Sequence, residues 1–336
     1  MKKYNVGILG ATGAVGRQML EVLEEYNFPI NELRLLASQR SVGKEIVYCG
    51  KSYTIQLAQK GAFEGLDFVL GAATNAIAKE LADDIVAAGA VFIDNSSAFR
   101  MDDNVPLVVP EINGDDALLN KGIIANPNCS TIITLMAVNA INKLSKIKAM
   151  VASTYQATSG AGAAGPVELR NQMEAIINDG EIVNEVFQYQ IVENLIPQIG
   201  SFLENGYTTE EMKMQNEGRK IMHLPDLKVN CTCVRVPVAR SHSISVTVYT
   251  EDVLDLEIVK SAIANEKGCK LFDDPNNKIY PMPILTSDQD LVYVGRLRKD
   301  IINDNGISLW CCGDQVRKGA ASNAVQIMMK LIGLEY

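Results

Sequence analysis

Near its start the chain reads GILGATGAVG, from Gly7 to Gly16, between a short apolar stretch and a longer amphipathic one. The composition of Tyr4–Leu9 is typical of a buried strand, and the periodicity of Val15–Tyr26 predicts a helix. Glycines at such a turn let the backbone approach a pyrophosphate at the helix N-terminus. The spacing is Gly-x-x-Gly-x-x-Gly rather than Gly-x-Gly-x-x-Gly, and a turn that binds nothing is the alternative, but the position predicts a dinucleotide-binding loop. The residues expected at the cofactor are Gly10, Thr12, Gly13, Ala14 and Val15.

The alternation of strands and helices continues beyond this loop and predicts the fold of the first 128 residues. The further elements predicted here are strands at Glu32–Ala37, Leu66–Gly71 and Ala90–Asp94 and a helix at Ala76–Ala88. This β-α-β order favours a parallel sheet with helices on both faces. The sequence therefore predicts an α/β Rossmann domain over residues 1–128.

The rest of the chain, over residues 129–314, has the pattern of an α+β domain. The helices predicted in it are Val167–Asn178 and Thr209–Met222. Its predicted strands, which look antiparallel, are Val229–Val238, Ser243–Thr250, Leu291–Arg298 and Ile307–Cys311. A final helix, Val316–Leu334, carries a 3.6-residue apolar stripe, so we expect the segment 315–336 to dock back on the first domain.

Composition argues against several classes of partner. With 47% hydrophobic and 21% charged residues among 336, the chain has the make-up of an ordinary soluble globular protein. Its formal net charge of −9 disfavours binding to nucleic acid or to an anionic membrane. No apolar run approaches the roughly 20 residues that a membrane span needs. Gly7 and Gly10 interrupt the first apolar run, unlike a secretory signal.

The seven cysteines indicate a reducing, cytoplasmic environment with free thiols, because their number is odd and no secretory segment is recognised. Two close pairs, Cys231 with Cys233 and Cys311 with Cys312, lie in strand-like runs. Neither pair has the Cys-x-x-Cys spacing of zinc sites, and the chain has only two histidines. We therefore expect no metal site.

One cysteine stands out because of its neighbours. The segment Asn126-Pro-Asn-Cys-Ser-Thr131 places Cys129 after a proline and ahead of the apolar helical stretch Ile132–Leu144. A thiol at a helix N-terminus lies near unpaired N–H groups and the positive end of the dipole, which favours the thiolate. A buried structural cysteine is the alternative. A nicotinamide cofactor combined with an activated thiol, however, predicts aldehyde oxidation through a thioester.

This chemistry needs a group that exchanges a proton, and histidine is the usual choice. His223 follows the end of a predicted helix, as a capping or core-edge residue would. His242 lies between two predicted strands and is the better candidate.

The end of the second predicted strand bears on the choice of cofactor. An NAD site uses a carboxylate there for the ribose hydroxyls, and this segment has none. Ser38, Arg40 and Ser41 instead offer donors and a positive charge that suit a 2′-phosphate. The sequence therefore favours NADP.

Segments along the whole chain are similar to those of one enzyme family, the bacterial aspartate-semialdehyde dehydrogenases. These segments are GILGATGAVG, ASQRSVGK, NSSAFR, NPNCST, STYQATSGAGAAG, NEGRK, RVPVARSHS and GDQVRKGAASNAVQ. The resemblance implies a glyceraldehyde-3-phosphate-dehydrogenase-like architecture, with a Rossmann domain and an α+β catalytic and dimerisation domain. It also implies a homodimer that converts L-aspartate 4-semialdehyde and phosphate reversibly into 4-phospho-L-aspartate with NADP. In the biosynthetic direction the reaction leads to lysine through diaminopimelate, and to threonine, methionine and isoleucine.

The resemblance also implies roles for residues at matching positions. Cys129 would be the nucleophile, His242 the acid/base group and Gln156 the residue that orients the intermediate. Arg235 resembles the clamp for the substrate carboxylate. Glu217 would hold the ammonium group, although a helix glutamate is more often exposed. The residues implied at the phosphate are Arg100, Asn128 and Lys220. Those implied at the nicotinamide end are Ser159, Gly160 and Gln315, the last in place of the family's usual asparagine.

Two other functions stay open at this point. An N-acetyl-γ-glutamyl-phosphate reductase resembles this family in fold and thioester chemistry, but its substrate has a blocked amine and needs no ammonium-binding glutamate. Glu217 and Lys220, together with Arg235, favour the aspartyl substrate. A non-catalytic dinucleotide-binding homologue would be expected to lack Cys129 or His242, and both are present.

Overall fold

Residues 2–336 are described by the structure, a computed structural model, and they fall into two units. The first unit ends at Asn128 and resumes from Ala320 to Tyr336, and the second runs from Cys129 to Gly319. The strands are β1 Tyr4–Leu9, β2 Ile30–Ala37, β3 Glu45–Tyr48, β4 Lys51–Thr54, β5 Gln56–Leu57, β6 Phe68–Gly71, β7 Val91–Asp94, β8 Ile123–Ala125, β9 Ile147–Gln156, β10 Lys228–Arg235, β11 His242–Thr250, β12 Cys269–Leu271, β13 Val292–Lys299 and β14 Gly306–Gly313. The helices are α1 Ala14–Glu25, α2 Asn75–Ala87, α3 Pro110–Asn113, α4 Cys129–Leu144, α5 Ala164–Ile177, α6 Thr209–Ile221, α7 Leu256–Ala264, α8 Pro283–Thr286 and α9 Ser322–Leu331.

A six-stranded parallel sheet with the order β5-β2-β1-β6-β7-β8 forms the centre of the first unit. The chain adds β2 on one side of β1 and later adds β6 on the other, so the strand order reverses beside β1. Open α/β sheets bind ligands beyond the carboxyl ends of their strands at such a reversal. The glycine-rich loop directly follows β1 and therefore lies where this fold binds a dinucleotide.

Apolar cores on the two faces of this sheet explain its helices. One core combines α1 and α9 with Val6 and Ile8 of β1. The other combines α2 with Leu9 and Val69. Because side chains of a strand alternate between faces, β1 contributes to both cores, as a strand buried on each side must.

The predicted elements of the first unit need two corrections. The sequence pattern predicts no strand between Glu32–Ala37 and Leu66–Gly71, but this segment contains the hairpin β3–β4 and the short strand β5. The last helix had been predicted to begin at Val316, but Arg317–Ala321 form a π-helical turn and α9 begins at Ser322. The apolar stripe continues from the π-helical turn into α9, so periodicity alone could not distinguish the two.

The second unit contains a six-stranded mixed sheet with the order β10-β9-β11-β14-β13-β12. Helices α4, α6 and α7 pack against it. Alternate residues of β9, such as Met150 and Ala152, are buried. Their neighbours Val151 and Tyr155 are exposed, so the other face of the strand lies open in the isolated chain.

The prediction that all of these strands are antiparallel was wrong for β10, which pairs parallel to β9, and β12 is also parallel to β13. Between β9 and β10 the chain forms α5 and α6. A crossover of this kind returns the chain to the end from which it started, which is what parallel pairing needs. None of the helices described in residues 2–336 has both the length and the apolar character to cross a membrane.

Candidate active site

Strand ends of the second unit bring candidate catalytic residues to one edge of its sheet. Gln156 ends β9 and pairs with Arg235, which ends the parallel strand β10. His242 begins β11, which runs antiparallel to β9, so it lies at the same edge. Its partner Gly313 ends β14, and Gln315 follows shortly after. The parallel pairing of β9 with β10 is therefore what places Gln156 and Arg235 together.

Cys129 and His242 face each other across this edge. Cys129 is the first residue of α4, and its Sγ lies 3.4 Å from Nε2 of His242. The sulfur belongs to a half-buried residue, whereas the imidazole is fully buried. The structure thus joins the proposed nucleophile and the proposed acid/base group directly.

The other ring nitrogen defines the state of the imidazole. The backbone N–H of Ala157 donates to Nδ1 of His242 at 3.0 Å. Because that nitrogen accepts, a neutral ring carries its hydrogen on Nε2, the atom that faces the sulfur. Burial lowers the pKa of His242 from 6.5 to about 3, and the positive charge of Arg235 adds to this effect while Glu210 opposes it. The ring is therefore a neutral donor toward Cys129.

The residues before His242 are fastened to the segment after β14. Arg240 Nε donates to Oδ2 of the fully buried Asp314 at 2.6 Å. Ser241 has a φ of +71° and donates its backbone N–H to Oε1 of Gln315 at 2.9 Å. The side-chain nitrogen of Gln315 donates to the hydroxyl of Ser159. Gln315 and Ser159, both expected near the nicotinamide, thus contact each other next to Ser241, the residue that precedes His242.

The guanidinium of Arg235 is held on two sides. Nη1 donates to the carbonyl of Ala157 at 2.6 Å, and the group lies 5.8 Å from the ring centroid of Phe187. Burial lowers the pKa of Arg235, although Cys129 and Glu210 counteract this. Within the described residues the buried Nε has no hydrogen-bond partner. A buried N–H group of this kind suits an anionic ligand.

Phe187 lies in a segment without regular structure between α5 and α6, and sequence reasoning did not identify it. Glu168 of α5 accepts hydrogen bonds from the backbone amides of Glu185, Val186 and Phe187. Gln172, one turn later, accepts further backbone amides of the segment. Helix α5 therefore holds the ring of Phe187 in place against Arg235. No local sequence motif indicates this arrangement.

A cavity of about 350 Å³ lies against Arg235. Its other walls come from the irregular segment and from the loop after β9, including Phe187, Gln198 and Ala161. A cavity of this size suits a small molecule, and its one charged side chain is cationic.

The amide of Gln156 is bound at both ends. Thr154 Oγ1 donates to Oε1 at 3.0 Å, and Nε2 donates to Oε1 of Glu210 at 3.3 Å. Glu210, in the first turn of α6, also pairs with Lys213 at 2.8 Å. Sequence reasoning missed Glu210. The one available signal is its spacing, since it precedes Glu217 by two helical turns on the same face.

The two residues of α6 that the resemblance did indicate lie further along the helix. Glu217 is only 2% exposed, which is at odds with an ordinary helix-surface glutamate. Lys220, one turn later, is half-buried. Because carboxylates are rarely buried without a compensating interaction, the position of Glu217 favours a specific role.

Glycines leave room at the catalytic pair. A Cβ atom on Gly160 would lie 2.8 Å from Nη1 of Arg235 and 3.2 Å from Nε2 of His242. A Cβ atom on Gly319 would lie 2.8 Å from Cβ of Cys129. All three distances are shorter than ordinary contacts, so a larger residue at either position would displace the neighbouring side chains.

In the first unit the glycine-rich loop has the features of a phosphate-binding turn. Gly10 has a φ of +89°, and a Cβ there would lie 2.4 Å from the carbonyl oxygen of Ala72. Gly13 is the N-cap of α1 and provides no side-chain cap, which leaves the first N–H groups of the helix for an anion. The half-buried residues Thr12, Ala14 and Val15 flank that terminus. The loop therefore fits a dinucleotide.

The residues expected at a 2′-phosphate follow β2. Ser38 occupies the N-cap position of a short 3-10 turn that contains Arg40 and Ser41, and its side chain makes no capping hydrogen bond. Ser38 and Arg40 are exposed, and Ser41 is half-buried. No acidic side chain lies in this turn, so a negatively charged group would meet no like charge within it.

Arg100 lies in the loop that follows β7. Its Nη2 donates to the carbonyl of Asn95 at 2.7 Å, and its side chain is buried. Asp94, whose pKa burial raises, accepts from both the backbone and the hydroxyl of Ser96. These bonds fix the loop that carries Arg100.

Buried asparagines of the first unit anchor the segment that leads to the nucleophile. The side chain of Asn126 donates to Asn95 at 2.8 Å and accepts from Asn323 of α9 at 2.7 Å. Asn128, two residues later, is also buried and immediately precedes Cys129 in the sequence. The residues implied at the phosphate thus divide between the units, with Arg100 and Asn128 in the first and Lys220 in the second.

The remaining candidates lie elsewhere. His223 is exposed, with a φ of +55°, just beyond the end of α6. Cys231 and Cys233 lie in β10, and Cys311 and Cys312 lie in β14. Over residues 2–336 all cysteines are free thiols, and no group of three or more His, Cys, Asp or Glu side chains could hold a metal ion.

Comparison with known proteins identifies the family. Residues 5–119 match the sequence profile of the semialdehyde dehydrogenase NAD-binding domain, and residues 138–318 match that of the semialdehyde dehydrogenase dimerisation domain. The chain is 48% identical over 333 residues to the aspartate-semialdehyde dehydrogenase of Aquifex aeolicus, covering 98% of each chain. It is 47% identical over 335 residues to that of Bacillus subtilis, covering 97% of each. The chain belongs to the aspartate-semialdehyde dehydrogenase family.

A solved member of this family has the same fold. Aspartate semialdehyde dehydrogenase II of Vibrio cholerae, crystallised with ASA, superposes with a TM-score of 0.97 at 43% identity over 100% of both chains. The predicted fold class, a Rossmann domain with an α+β catalytic and dimerisation domain, is confirmed.

Substitution of Gly319 tests the close approach to Cys129. We expect Gly319→Ala to move the sulfur and to lower kcat by about 10- to 100-fold, since sub-ångström to ångström misplacement costs rate on this scale. Gly114→Ala is the matched control, because its nearest neighbour is the flexible Lys330 side chain at 3.5 Å. Steady-state kinetics of both variants decide this. Equal kcat values in wild type and Gly319→Ala would contradict the packing argument.

The buried neutral imidazole of His242 predicts a pH dependence of stability. Between its folded pKa of about 3 and its ordinary value of 6.5, the unfolded chain binds one more proton than the folded chain. The free energy of unfolding therefore falls as pH drops through this window. From about pH 7 to about pH 5, wild type should lose about 2 kcal/mol more than His242→Asn. Urea unfolding of both proteins at both pH values measures this, and parallel losses would show that His242 is not held neutral.

Proposed function

We propose that this protein catalyses the reversible, phosphate-dependent oxidation of L-aspartate 4-semialdehyde to 4-phospho-L-aspartate with NADP. The observation that carries the proposal is the contact of Cys129 Sγ with Nε2 of His242 at 3.4 Å, beside Arg235 and Gln156. Run in reverse, the reaction serves the biosynthesis of lysine through diaminopimelate, and of threonine, methionine and isoleucine.

Arg235 and Glu217 would recognise the two charged groups of the substrate. The guanidinium of Arg235 has a buried Nε without a partner among the described residues and can bind the α-carboxylate through two parallel hydrogen bonds. Glu217 would hold the α-ammonium group, and its burial supports this role. An N-acetylated glutamyl substrate has no ammonium to offer there, so a buried carboxylate favours the aspartyl substrate.

The chemistry begins with the thiolate of Cys129, which the start of α4 stabilises. The sulfur attacks the aldehyde carbon, and the electron pair of the carbonyl moves to its oxygen. The Nε2–H group of His242 donates to this oxygen, and Gln156 orients it. Because Nδ1 already accepts from Ala157, His242 acts here as a neutral donor rather than as an imidazolium.

NADP, when bound, supplies the nicotinamide that accepts the hydride, and Cys129 is left as a thioester. Arg100, Asn128 and Lys220 would bind the phosphate that then attacks the thioester carbon. Departure of the thiolate restores the pair with His242. The low basicity expected of a sulfur at a helix N-terminus also makes it a good leaving group.

For the cofactor, the proposed contacts are the loop Gly10–Val15 at the pyrophosphate and Ser38, Arg40 and Ser41 at a 2′-phosphate. Ser159, Gly160 and Gln315 would lie at the nicotinamide end. Their closeness to His242 supports this position, because the hydride leaves the carbon whose oxygen accepts the hydrogen bond from His242.

We further propose a cytoplasmic homodimer. The matched dimerisation domain supports the dimer. The exposed face of β9 supports it as well, because the ring of Tyr155 on this face is still partly exposed although its centroid lies 5.3 Å from that of Trp310. Free thiols throughout the described chain support a reducing compartment.

Replacement of the nucleophile tests the reaction. We expect wild type to form NADPH from aspartate semialdehyde only when phosphate is present, and N-acetylglutamate semialdehyde to be a poor substrate. Cys129→Ala should abolish turnover and leave the NADP Kd within about twofold, since it removes a group needed only for the covalent step. NADPH absorbance and a binding titration are the measurements. Loss of both activity and NADP binding would argue against separate roles for the loop and the thiol.

Replacement of Arg40 tests the 2′-phosphate assignment. One charge-assisted hydrogen bond contributes about 1.5–3 kcal/mol, so Arg40→Ala should raise the NADP Kd by about 10- to 100-fold and leave the NAD Kd nearly unchanged. Lys51→Ala, an exposed cation on β4, is the control. If NADP and NAD weaken by the same factor, Arg40 does not read the 2′-phosphate.

A further inference from the structure

The side-chain amide of Gln156 has two ends of almost equal shape and opposite chemistry. Its oxygen accepts hydrogen bonds, and its nitrogen donates two. Rotation of the amide by half a turn would exchange these ends at the reacting oxygen. Packing alone cannot choose between the two orientations, so hydrogen-bond partners must do so.

Of the two partners of Gln156, only Glu210 can make this choice. The hydroxyl of Thr154 donates to Oε1 at 3.0 Å, but a hydroxyl can equally accept, so it would adapt to a rotated amide. A carboxylate only accepts. Glu210 Oε1, 3.3 Å from Nε2, would face the amide oxygen after rotation, and two acceptors would repel.

The surroundings of Glu210 hold its carboxylate in place. Thr208 and Glu211 form a reciprocal capping box at the start of α6, which fixes the turn on which Glu210 lies. Lys213 binds the second carboxylate oxygen at 2.8 Å. The ammonium group and the helix N-terminus both stabilise negative charge at this position. The side chain of Glu210 is buried, so water does not screen its interaction with Gln156.

We propose that Glu210 is a positioning residue that fixes the amide of Gln156 with its nitrogen toward α6. Gln156 then meets the substrate as a donor, through the second N–H of Nε2, while Thr154 occupies its oxygen. A donor is what the developing oxyanion of the thiolate addition requires. The catalytic part of this inference depends on the proposed function, whereas the orientation of the amide does not.

The first test compares isosteric variants. Glu210→Gln keeps the shape but can present either an oxygen or a nitrogen, so we expect kcat to fall by about 10- to 100-fold with an unchanged NADP Kd. Glu210→Asp keeps the charge but shortens the reach, and kcat should fall similarly. Glu257→Gln is the matched control, because Glu257 forms a pair of the same spacing and length, 2.8 Å to Lys260, on an exposed helix face. An unchanged kcat in Glu210→Gln would overturn the proposal.

A double-mutant cycle separates positioning from a general structural role. If Glu210 acts through Gln156, Glu210→Gln should have no further effect on kcat in a Gln156→Ala background. The same fold-loss in both backgrounds would show that Glu210 supports the site in another way and would overturn the proposal.

A measurement without turnover completes the test. In protein labelled with 15N-glutamine, the side-chain NH2 resonances of Gln156, assigned by their loss in Gln156→Glu, should shift in Glu210→Gln and stay fixed in Glu257→Gln. Unshifted resonances would overturn the proposal even in a protein that turns nothing over. Wild type that forms no NADPH, yet shows the expected shifts, would instead contradict the proposed function and leave the orientation of the amide established.

Discussion

The backbone of Ala157 holds the imidazole of His242 and the guanidinium of Arg235 through the N–H and the carbonyl of one residue. Its N–H donates to Nδ1 of His242, and its carbonyl accepts from Nη1 of Arg235. The first bond decides which ring nitrogen carries hydrogen, and the second fixes the plane of the guanidinium. Ala157 directly follows β9, where the chain leaves the sheet and its backbone groups are released from strand pairing. The reacting geometry therefore depends on the place where one strand ends.

Sheet topology makes this arrangement work. Because β10 runs parallel to β9, Arg235 and Gln156 end their strands side by side, and antiparallel β11 begins with His242 at the same edge. An antiparallel β10 would have placed Arg235 about seven residues, or roughly 23 Å, away at the opposite edge. The helices between β9 and β10 therefore have two roles. They return the chain so that β10 can pair parallel to β9, and one of them, α6, carries Glu210 and Glu217.

What could be foreseen from the sequence follows from what local patterns contain. The glycine loop and the helix that starts at Cys129 depend on neighbours within a few residues, and both lie where they were predicted. The preference for His242 over His223 also used only local neighbours, and the structure places His242 beside Cys129. The direction of β10 depends on a pairing across more than 70 residues, which periodicity does not encode. Glu210 and Phe187 were missed for the same reason, since each acquires its meaning only from a distant partner.

Ser241, the strained residue before His242, lies in a segment that is held by contacts with residues 313–315, far away in the sequence. Ser241 adopts a left-handed conformation that costs a non-glycine residue about 1–3 kcal/mol, and it turns the chain so that His242 enters β11 facing the sulfur. Its N–H is held by Gln315, the neighbouring Arg240 by Asp314, and His242 itself pairs with Gly313. Each residue of Arg240-Ser241-His242 therefore has a partner in Gly313-Asp314-Gln315. Only His242 with Gly313 is a pair of the antiparallel ladder, and the other two contacts are made by the side chains of Gln315, Arg240 and Asp314 beyond the strand ends. Gln315 thereby has a structural reason to be present that is independent of any cofactor: its amide joins two loops, because its oxygen accepts from the backbone of Ser241 and its nitrogen donates to the hydroxyl of Ser159.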